Sequence, residues 1–417
     1  MITKPKGTYD LNGVDAKLYD YISKCSSECF ACYNYDFIRT PLFESSELFH
    51  RSVGEATDIV TKETYDFKDR GNRDLTLRPE GTAGVVRSFI ENKMFGNRVD
   101  AIKLYYNGTM YRYERPQAGR FREFCQIGAE VFNSNDEMID AEVISIGYNL
   151  LKFYGFDNIV VKLNSLGDAE SRRNYTEALK KYFEPHIDNL CEDCKNRFNK
   201  NVLRILDCKV DNDSNILKNA PKISEYLTID SKKRFNKVKE LLTLLDIDFE
   251  VDESIVRGLD YYDEIVFEYF TLDNNLALGG GGRYNTLVKN LGGPDVPAVG
   301  FALGVERIIE LLKQDIDENK YAKKIDAFIM SISEEEKLHA IRLAQDLRLN
   351  GIMCEVNTNN LSMKSQFKIA DNLHANFLVI LNNEKLSKGI VTIKDNVTKE
   401  EIELDESEVL DWLLGNI

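Results

Sequence analysis

The chain has 417 residues, of which 43% are hydrophobic and 29% are charged, and its formal net charge is -15. This length predicts more than one domain, and the composition is typical of a soluble globular protein. The negative charge argues against general binding to nucleic acids or anionic membranes, but it leaves room for a local basic site. Neither a run of about 20 apolar residues nor a secretory signal occurs, so we expect a cytoplasmic protein without a membrane span.

The first predicted element is an amphipathic helix over residues 15–33. Its apolar stripe consists of Leu18, Ile22, Cys25, Cys29 and Cys32. These spacings place the five side chains on one helical face, so we interpret the cysteines as small core residues rather than as ligands. Residues 35–44 then predict a strand that is broken at Pro41.

Residues 100–132 predict a long β-hairpin. In its outgoing arm, one set of alternate residues is mostly apolar, and the other set carries Arg122, Gln126 and Glu130. A period of two is typical of a half-buried strand. We therefore expect one face of this arm to pack and the opposite face to carry polar groups over a sheet.

In the second half of the chain, the pattern of apolar and polar residues changes three times. Residues 168–250 are polar and helical in pattern, with Asp168 as the expected N-cap, and they resemble an insertion. Strand-like sequence resumes over residues 254–270, and residues 297–312 predict a strand followed by a helix. The C-terminal part alternates three strand-like and two helical segments, which predicts a small α/β domain.

The turn of the predicted hairpin concentrates arginines within "YRYERPQAGRFREF": they are Arg112, Arg115, Arg120 and Arg122. An arginine in a turn is ordinarily a solvated charge. Arg112 and Arg120, however, can lean over the same face, and their planar groups suit bidentate binding of phosphate. Arg307 lies in the first turn of a predicted helix, which also favours anions. With Arg257 as a further cation, the pattern suggests a polyphosphate substrate.

Two familiar nucleotide-binding loops do not occur in the sequence. There is no GxxxxGK[ST] motif, and the four glycines at residues 279–282 lack the GxGxxG spacing. A nucleotide would therefore lie on an antiparallel sheet. For the four glycines two interpretations stay open, a plain turn and a close approach of the backbone to a ligand.

Five motifs in order resemble class II aminoacyl-tRNA synthetases, and within them the histidyl-tRNA synthetase family. The class motifs are "IRTPLFE", "YRYERPQAGRFREF" and "AVGFALGVERI", and the two that single out the histidine family are "VRGLDYY" and "GGGGRY". The resemblance covers essentially the whole chain. It implies ATP-dependent activation of L-histidine to histidyl-adenylate and transfer to tRNA(His), with Mg²⁺ accompanying ATP and with the chain acting as a homodimer.

The fold that this resemblance implies is α+β, with a mainly antiparallel sheet flanked by helices, a helical insertion and a C-terminal α/β domain. Residues 1–167 and 251–322 would form the discontinuous catalytic core. Residues 168–250 would form the insertion, and residues 325–417 would form the anticodon-binding domain.

The resemblance also implies an ATP site. Arg112 would contact the α-phosphate, and the residues expected to hold adenine or the outer phosphates are Glu114, Arg120 and Arg307. Arg257 stands where related synthetases place a metal ion, so it would orient the carboxylate nucleophile and neutralise the α-phosphate. Arg257 and Arg112 are therefore the candidate catalytic residues, and we expect no metal ligand among the site residues.

The histidine pocket implied by the family consists of Glu80, Gly81, Thr82, Arg112, Gln126, Glu130, Arg257, Tyr261, Tyr262 and Tyr284. Carboxylates can bind an ammonium group and a ring N–H, and tyrosines can supply flat walls and a hydroxyl. A single tyrosine is more often core packing, and Gln126 and Glu130 alone would suit a solvated strand face. Arg115 and Gln117 match residues that meet the acceptor end of the tRNA.

A group of cysteines near residue 200 could bind a metal ion. Cys191, Cys194, Cys208 and His186 offer four potential zinc ligands, but their spacing is irregular for a known zinc finger. We therefore favour a reduced thiol cluster over a structural zinc site.

Two other functions compete with synthesis of histidyl-tRNA. The chain could be a histidine-sensing regulatory paralogue of these enzymes, or a class II synthetase for another amino acid. The four separated arginines and the C-terminal α/β segment favour a synthetase, and "RGLDYY" favours histidine.

Overall fold

The computed structural model describes residues 1–53, 59–96, 99–114, 119–206, 208, 210–211, 213–255, 261–273, 276–314 and 324–417. The chain divides into two compact units, Met1–Ile316 and Asp317–Ile417. The first unit contains an eight-stranded and a three-stranded sheet, and the second contains a five-stranded sheet.

The first unit alternates helices and strands. In chain order they are α1 (Gly13–Cys32), β1 (Asp36–Phe37), β2 (Phe43–Ser45), α2 (Ser46–Val53), β3 (Tyr65–Lys68), β4 (Asp74–Leu77), α3 (Thr82–Glu91), β5 (Ile102–Tyr111), β6 (Glu123–Phe132), α4 (Glu137–Tyr154), β7 (Ile159–Gly167), α5 (Ala169–Phe183), α6 (Glu192–Lys200), α7 (Asn215–Lys218), α8 (Ile229–Leu244), β8 (Phe249–Val251), β9 (Asp263–Thr271), β10 (Leu276–Arg283), α9 (Leu287–Asn290), β11 (Ala298–Gly304) and α10 (Val305–Leu312). Short π or 3-10 turns lie at Ile59–Glu63, Glu184–Asn189, Val202–Ile205 and Ile223–Glu225.

The large sheet has the strand order β1-β5-β6-β11-β10-β9-β7-β8. The strands from β5 to β7 in this order pair antiparallel. The outer pairs, β1 with β5 and β7 with β8, are parallel. The predicted α+β fold is confirmed, and the sheet is mixed rather than purely antiparallel.

The predicted hairpin is confirmed as the β5–β6 pair, whose register runs from Ile102 opposite Phe132 to Tyr111 opposite Glu123. The expected contrast between the two faces of β6 is wrong in its second half, where Glu130 is as fully buried as its apolar neighbours. The reason is that helices cover both faces of the sheet, with α1 on one face and α3 on the face that carries Glu130.

Helices cover both faces of the sheet. On one face, Phe30 of α1 stacks on Tyr105 of β5 with ring centroids 4.5 Å apart. On the other face, Val86 and Phe89 of α3 share a buried cluster with Tyr106. The hollow described below therefore opens on the α3 face.

The cysteines of α1 differ in their burial. Cys29 is buried and Cys25 is partly buried, but Cys32 is exposed. The interpretation as core residues is thus wrong for Cys32, because it is the last residue of the helix.

The four glycines at residues 279–282 belong to β10, so the plain-turn interpretation is wrong. Gly281 pairs with Phe301 of β11, and a Cβ on Gly281 would run into the carbonyl oxygen of Gly300. A Cβ on Gly279 would lie 2.8 Å from the Cα of Leu303. Neighbouring backbones therefore approach β10 so closely that only glycine fits.

A buried network of charged residues links α8 to α4 and to the large sheet, and no local sequence pattern predicted it. Asp140 of α4 and Arg283 of β10 are both fully buried, with Arg283 Nε 2.7 Å from Asp140 Oδ1. Arg234 of α8 donates to the other carboxylate oxygen at 2.6 Å. Each arginine thus reaches one carboxylate oxygen, so the charge of Asp140 is compensated from two sides, as a buried charge requires.

The first strand of the second unit begins at Ala327. Its elements are β12 (Ala327–Met330), α11 (Glu334–Leu349), β13 (Cys354–Val356), α12 (Met363–Asn372), β14 (Phe377–Ile380), α13 (Asn383–Leu386), β15 (Ile390–Asp395), β16 (Glu401–Asp405) and α14 (Val409–Leu414), with a 3-10 turn at Glu406–Glu408. The strand β12 is parallel to β13 and β14, and β15 and β16 add antiparallel partners. The three predicted strands and two predicted helices are confirmed. Over the residues described, the helices are too short or too polar to cross a membrane.

We expect Gly147→Ala to destabilise the first unit by about 1–3 kcal/mol, because the new methyl group would overpack a closed contact. Gly147 lies in α4, where the ring of Tyr269 approaches the helix and its hydroxyl donates to Ile144 O at 3.0 Å. A Cβ on Gly147 would collide with that ring and hydroxyl. The measurement is the free energy of unfolding in urea.

The matched control for this change is Gly71→Ala in an exposed loop, where the nearest atom to a new Cβ is a side-chain oxygen of Asp69 at 3.3 Å. We expect this control to remain near the parent value. Equal stability of Gly147→Ala and the control would contradict the tight packing of Tyr269 against α4.

Candidate functional site

A hollow of about 350 Å³ opens on the α3 face of the large sheet. Strands β6, β10 and β11, the start of α3, the start of α10 and the residues before β6 contribute to its wall. The predicted site residues that line it are Glu80, Thr82, Arg112, Glu114, Arg120, Gln126, Tyr261, Tyr262 and Arg307. Residues from widely separated parts of the sequence therefore meet at one place.

Two arginines of the hairpin share one carboxylate at the cationic end of the hollow. Arg120 Nη1 donates to Glu114 Oε2 at 3.4 Å, and Arg112 Nη1 lies 3.8 Å from Glu114 Oε1. The Nε of Arg112 donates to Pro79 O at 2.8 Å, and its guanidinium lies 5.3 Å from the ring centroid of Phe124. These contacts fix the direction of Arg112 before any ligand binds.

Arg307 supplies a third cation from the first turn of α10, as predicted. Its Nη1 donates to Ala277 O at 2.5 Å, which holds the side chain over β10. Burial lowers the pKa of Arg307, and the neighbouring charge of Arg120 lowers it further. An arginine stays protonated even so. Three guanidinium groups around one hollow favour a ligand with several negative charges.

Glu306 anchors α10 and was not predicted as a functional residue. Its Oε1 accepts from the hydroxyl of Tyr9 and from the backbone N–H of Cys125, both at 2.7 Å. The ring of Tyr9 also packs against Phe121, with centroids 4.8 Å apart. The only available signal was the acidic residue directly before Arg307 in "GVERI".

Glu80 fixes the start of α3 at the other end of the hollow. Its carboxylate accepts from the backbone N–H groups of Thr82 at 2.7 Å and Ala83 at 2.8 Å. Burial raises the pKa of Glu80, and these two N–H groups oppose the increase. Gly81 lies outside the lining, and a Cβ there would collide with the ring of Tyr106. The structure therefore gives Glu80 and Gly81 clear roles in shaping the wall.

Glu130 lies behind the lining in a closed hydrogen-bond network. Thr82 Oγ1 donates to Glu130 Oε1 at 2.7 Å, and the hydroxyl of Tyr284 donates to Oε2. Tyr106 reaches Oε1 at 3.5 Å. Burial raises the pKa of Glu130 to about 8, although the donors from Thr82 and Tyr284 oppose the increase. At neutral pH this carboxyl group therefore holds its proton more often than an exposed glutamate does.

Tyr261 and Tyr262 line the hollow next to Glu130, whereas the predicted site residue Tyr284 is buried behind them and outside the lining. The rings of Tyr261 and Tyr262 lie 4.6 Å apart, and those of Tyr261 and Tyr284 lie 5.6 Å apart. The Oε1 of Gln126 is buried without a hydrogen-bond partner among the described residues. Flat aromatic walls beside polar groups suit a small planar ligand that carries both a donor and an acceptor.

Several predicted site residues lie outside the residues that the structure describes: they are Arg257, Arg115 and Gln117. Other residues line the hollow without having been named as site residues from the sequence: they are Tyr106, Gly119, Phe121, Phe124, Glu268, Ala277, Leu278, Gly279, Gly280, Phe301, Ala302, Gly304 and Glu306. Glycines 279 and 280 among them match the second interpretation of the glycine run, a backbone that can approach a ligand closely.

A mainly antiparallel sheet with arginines from a hairpin and from a following helix around one hollow is the architecture of class II aminoacyl-tRNA synthetases. Residues 7–308 match the family model for histidyl-tRNA synthetase, and residues 326–416 match the model for an anticodon binding domain. The chain belongs to the histidyl-tRNA synthetase family, as its motifs predict.

Close relatives cover the chain almost end to end. It is 49% identical over 407 residues to histidine--tRNA ligase 2 of Bacillus anthracis, and the match covers 96% of both chains. It is 44% identical over 416 residues to the histidine--tRNA ligase of Bacillus subtilis (strain 168), covering 99% of this chain and 98% of the relative. The structure of the apo S. aureus histidyl-tRNA synthetase is similar with a TM-score of 0.84 and 36% identity, covering 99% and 100% of the two chains.

Proposed function

We propose that the chain activates L-histidine with ATP to form histidyl-adenylate and then transfers the histidyl group to tRNA(His), releasing pyrophosphate and AMP. The observation that carries this proposal is the convergence of Arg112, Arg120 and Arg307 on a hollow that continues into a tyrosine-walled slot. The cationic end suits a triphosphate, and the slot beside Gln126 and Glu130 suits an imidazole ring.

Adenylation needs positioning more than acid–base chemistry. The carboxylate of histidine is ionised at neutral pH, so it can attack the α-phosphorus of ATP without a protein base. Negative charge then develops on the phosphate oxygens as the bond to pyrophosphate breaks. Arg112, held by Pro79 O, neutralises that charge, and Arg257 orients the attacking carboxylate by its family resemblance.

Other residues that line the hollow would supply the remaining nucleotide contacts. Glu114 places Arg120 for adenine or the outer phosphates, and Arg307 faces the same space from α10. Mg²⁺ would accompany ATP and offset the charge of its phosphates. Carboxylate oxygens are the ligands that this ion prefers, and Glu268, which lines the hollow, would be able to offer one, whereas Glu114 is paired with Arg112 and Arg120.

The slot would recognise histidine at both ends. Glu80, Thr82 and Gln126, which line the hollow, would receive the ammonium group, and Gly81 would allow the close approach of Tyr106. Glu130 and the hydroxyl of Tyr284 would pair with the ring, and Tyr261 and Tyr262 would enclose it. An analogue without a ring N–H would leave buried polar groups unpaired and would be rejected.

The other partners follow from the family. Arg115 and Gln117 would meet the acceptor end of the tRNA, and residues 325–417 would bind its anticodon. We assign residues 1–167 and 251–322 to catalysis and residues 168–250 to the insertion. We further propose that the chain acts as a homodimer in the cytoplasm.

Histidine-dependent exchange of pyrophosphate into ATP, followed by charging of tRNA(His), tests this function. We expect exchange with histidine and none with the other standard amino acids. Histidine binding without exchange would instead indicate a regulatory protein, and exchange driven by another amino acid would indicate a different class II synthetase.

A further inference from the structure

Four side chains of the insertion meet at one point. They belong to Cys191, Cys194, Cys208 and Asp211, and one potential ligand atom from each lies within 4.8 Å of all the others. Cys194 and Cys208 are buried, whereas the other two are partly buried. His186, the fourth ligand considered from the sequence, is not part of this cluster, and its ring packs 5.5 Å from that of Tyr182.

Two distances within the cluster agree with the edges of a metal-centred tetrahedron. With Zn–S bonds of about 2.3 Å and Zn–O bonds of about 2.0 Å, two sulfurs lie about 3.8 Å apart and a sulfur lies about 3.5 Å from an oxygen. The observed distances are 3.7 Å between the sulfurs of Cys191 and Cys208, and 3.6 Å between Cys208 Sγ and Asp211 Oδ2. All three cysteines are free thiols.

The local structure presents the ligands in two matching pairs. In each pair two residues separate the ligands: "CEDC" gives Cys191 and Cys194, and "CKVD" gives Cys208 and Asp211. Cys191 is the N-cap of α6, and Cys194 follows in its first turn. Backbone N–H groups at a helix start stabilise thiolates, which are the form that binds metal.

We propose that Cys191, Cys194, Cys208 and Asp211 bind one structural zinc ion in the insertion, apart from the adenylation chemistry. Three thiolates and one carboxylate suit Zn²⁺, whereas Mg²⁺ and Ca²⁺ prefer oxygen ligands. Four protein ligands leave no open position for a substrate, as in structural zinc sites.

The surrounding core explains why a metal would be useful there. Cys194 and Cys208 belong to the buried cluster of the insertion, which is built mainly from short helices and turns. Small units with little core commonly need a metal or a disulfide for stability.

Metal analysis of the untagged, full-length protein purified without chelators tests this proposal directly. We expect about one zinc ion per chain. After replacement by Co²⁺, we expect thiolate-to-metal charge-transfer absorption and the visible bands of tetrahedral cobalt. Wild-type protein that binds neither ion, even after incubation with excess Zn²⁺ or Co²⁺, would overturn the proposal.

Substitutions identify the ligands. Cys194→Ser and Asp211→Asn are expected to lose most of the zinc, with Asp211→Asn changing charge but hardly size. Asp193→Asn is the matched control, because it makes the same change at an exposed residue of the same motif. Cys354→Ser, at a buried thiol of the second unit, controls for loss of a cysteine. Full zinc content in both Cys194→Ser and Asp211→Asn would refute this ligand set.

A chelator experiment on the wild-type chain covers the case in which the variants fail to fold. Removal of zinc should increase proteolysis within residues 168–250, and added Zn²⁺ should restore resistance. Unchanged proteolysis after verified metal removal would contradict a structural role. Because these readouts require no catalysis, they remain informative even if the exchange assay fails.

Discussion

Arg112→Ala is expected to lower the kcat of histidine-dependent pyrophosphate exchange by about 10²- to 10³-fold, with a much smaller change in the KM for ATP. The reason is that charge on the α-phosphate oxygens grows as the carboxylate attacks. An interaction that strengthens only in the transition state affects kcat more than ground-state binding.

The rigidity of Arg112 makes this large effect plausible in physical terms. Its Nε is already committed to Pro79 O, and Glu114 lies on its other side. The cation is therefore held in place before the reaction and needs little reorganisation while charge develops. A mobile surface arginine would contribute far less.

Exchange kinetics at varied ATP and histidine concentrations measure the effect. Arg173→Ala, at an exposed arginine of α5, is the matched control and should behave like the wild type. By its family resemblance, Arg257→Ala should show the same pattern as Arg112→Ala. If Arg112→Ala raised the KM for ATP as strongly as it lowered kcat/KM, Arg112 would serve in ground-state binding instead.

Local sequence patterns predicted the elements that carry the site. Alternating residues predicted the β5–β6 hairpin, and the sequence around residue 304 predicted the strand and helix that place Arg307. The gathering of the arginines was inferred from the chemistry of phosphate and from the family motifs. These elements can be predicted because the spacing of residues along one helix or strand determines which side chains share a face.

The burial of individual side chains and the contacts between distant residues could not be predicted from local spacing. Alternation along β6 predicted a solvated Glu130, because a strand's own sequence does not show whether a distant helix such as α3 covers its second face. The Asp140–Arg283 pair joins residues that are far apart in sequence and have no local signature. The strands β15 and β16 were missed because the mostly apolar run of β15 is only four residues long, and because charged residues alternate with apolar ones along β16.

Glu130→Gln is expected to make the protein more stable at alkaline pH and less active towards histidine. The pKa of Glu130 is raised by burial from 4.5 to about 8. Between these values the folded chain retains a proton that the unfolded chain has released. Stability therefore falls as the pH rises through this window, and a neutral glutamine removes that contribution.

The difference in Tm between Glu130→Gln and wild type should widen from about pH 5.5 to about pH 8. Taking the difference cancels the contributions of other buried acids, such as Asp263, whose pKa burial raises to about 6. Glu123→Gln, the same change at the partly exposed start of β6, is the matched control and should show a wild-type pH profile. A constant difference for Glu130→Gln would contradict the raised pKa.

The same substitution should reduce kcat/KM for histidine by about 10- to 100-fold, because a charge-assisted hydrogen bond to the ring N–H is lost. Titration of histidine at saturating ATP measures this loss. A variant that gained stability while keeping full activity would show that Glu130 shapes the fold without contacting histidine. Stability and recognition therefore oppose each other at Glu130. Burial makes the ionised carboxylate costly in the free protein, but it also strengthens the hydrogen bond that this carboxylate would accept from the ring N–H of histidine.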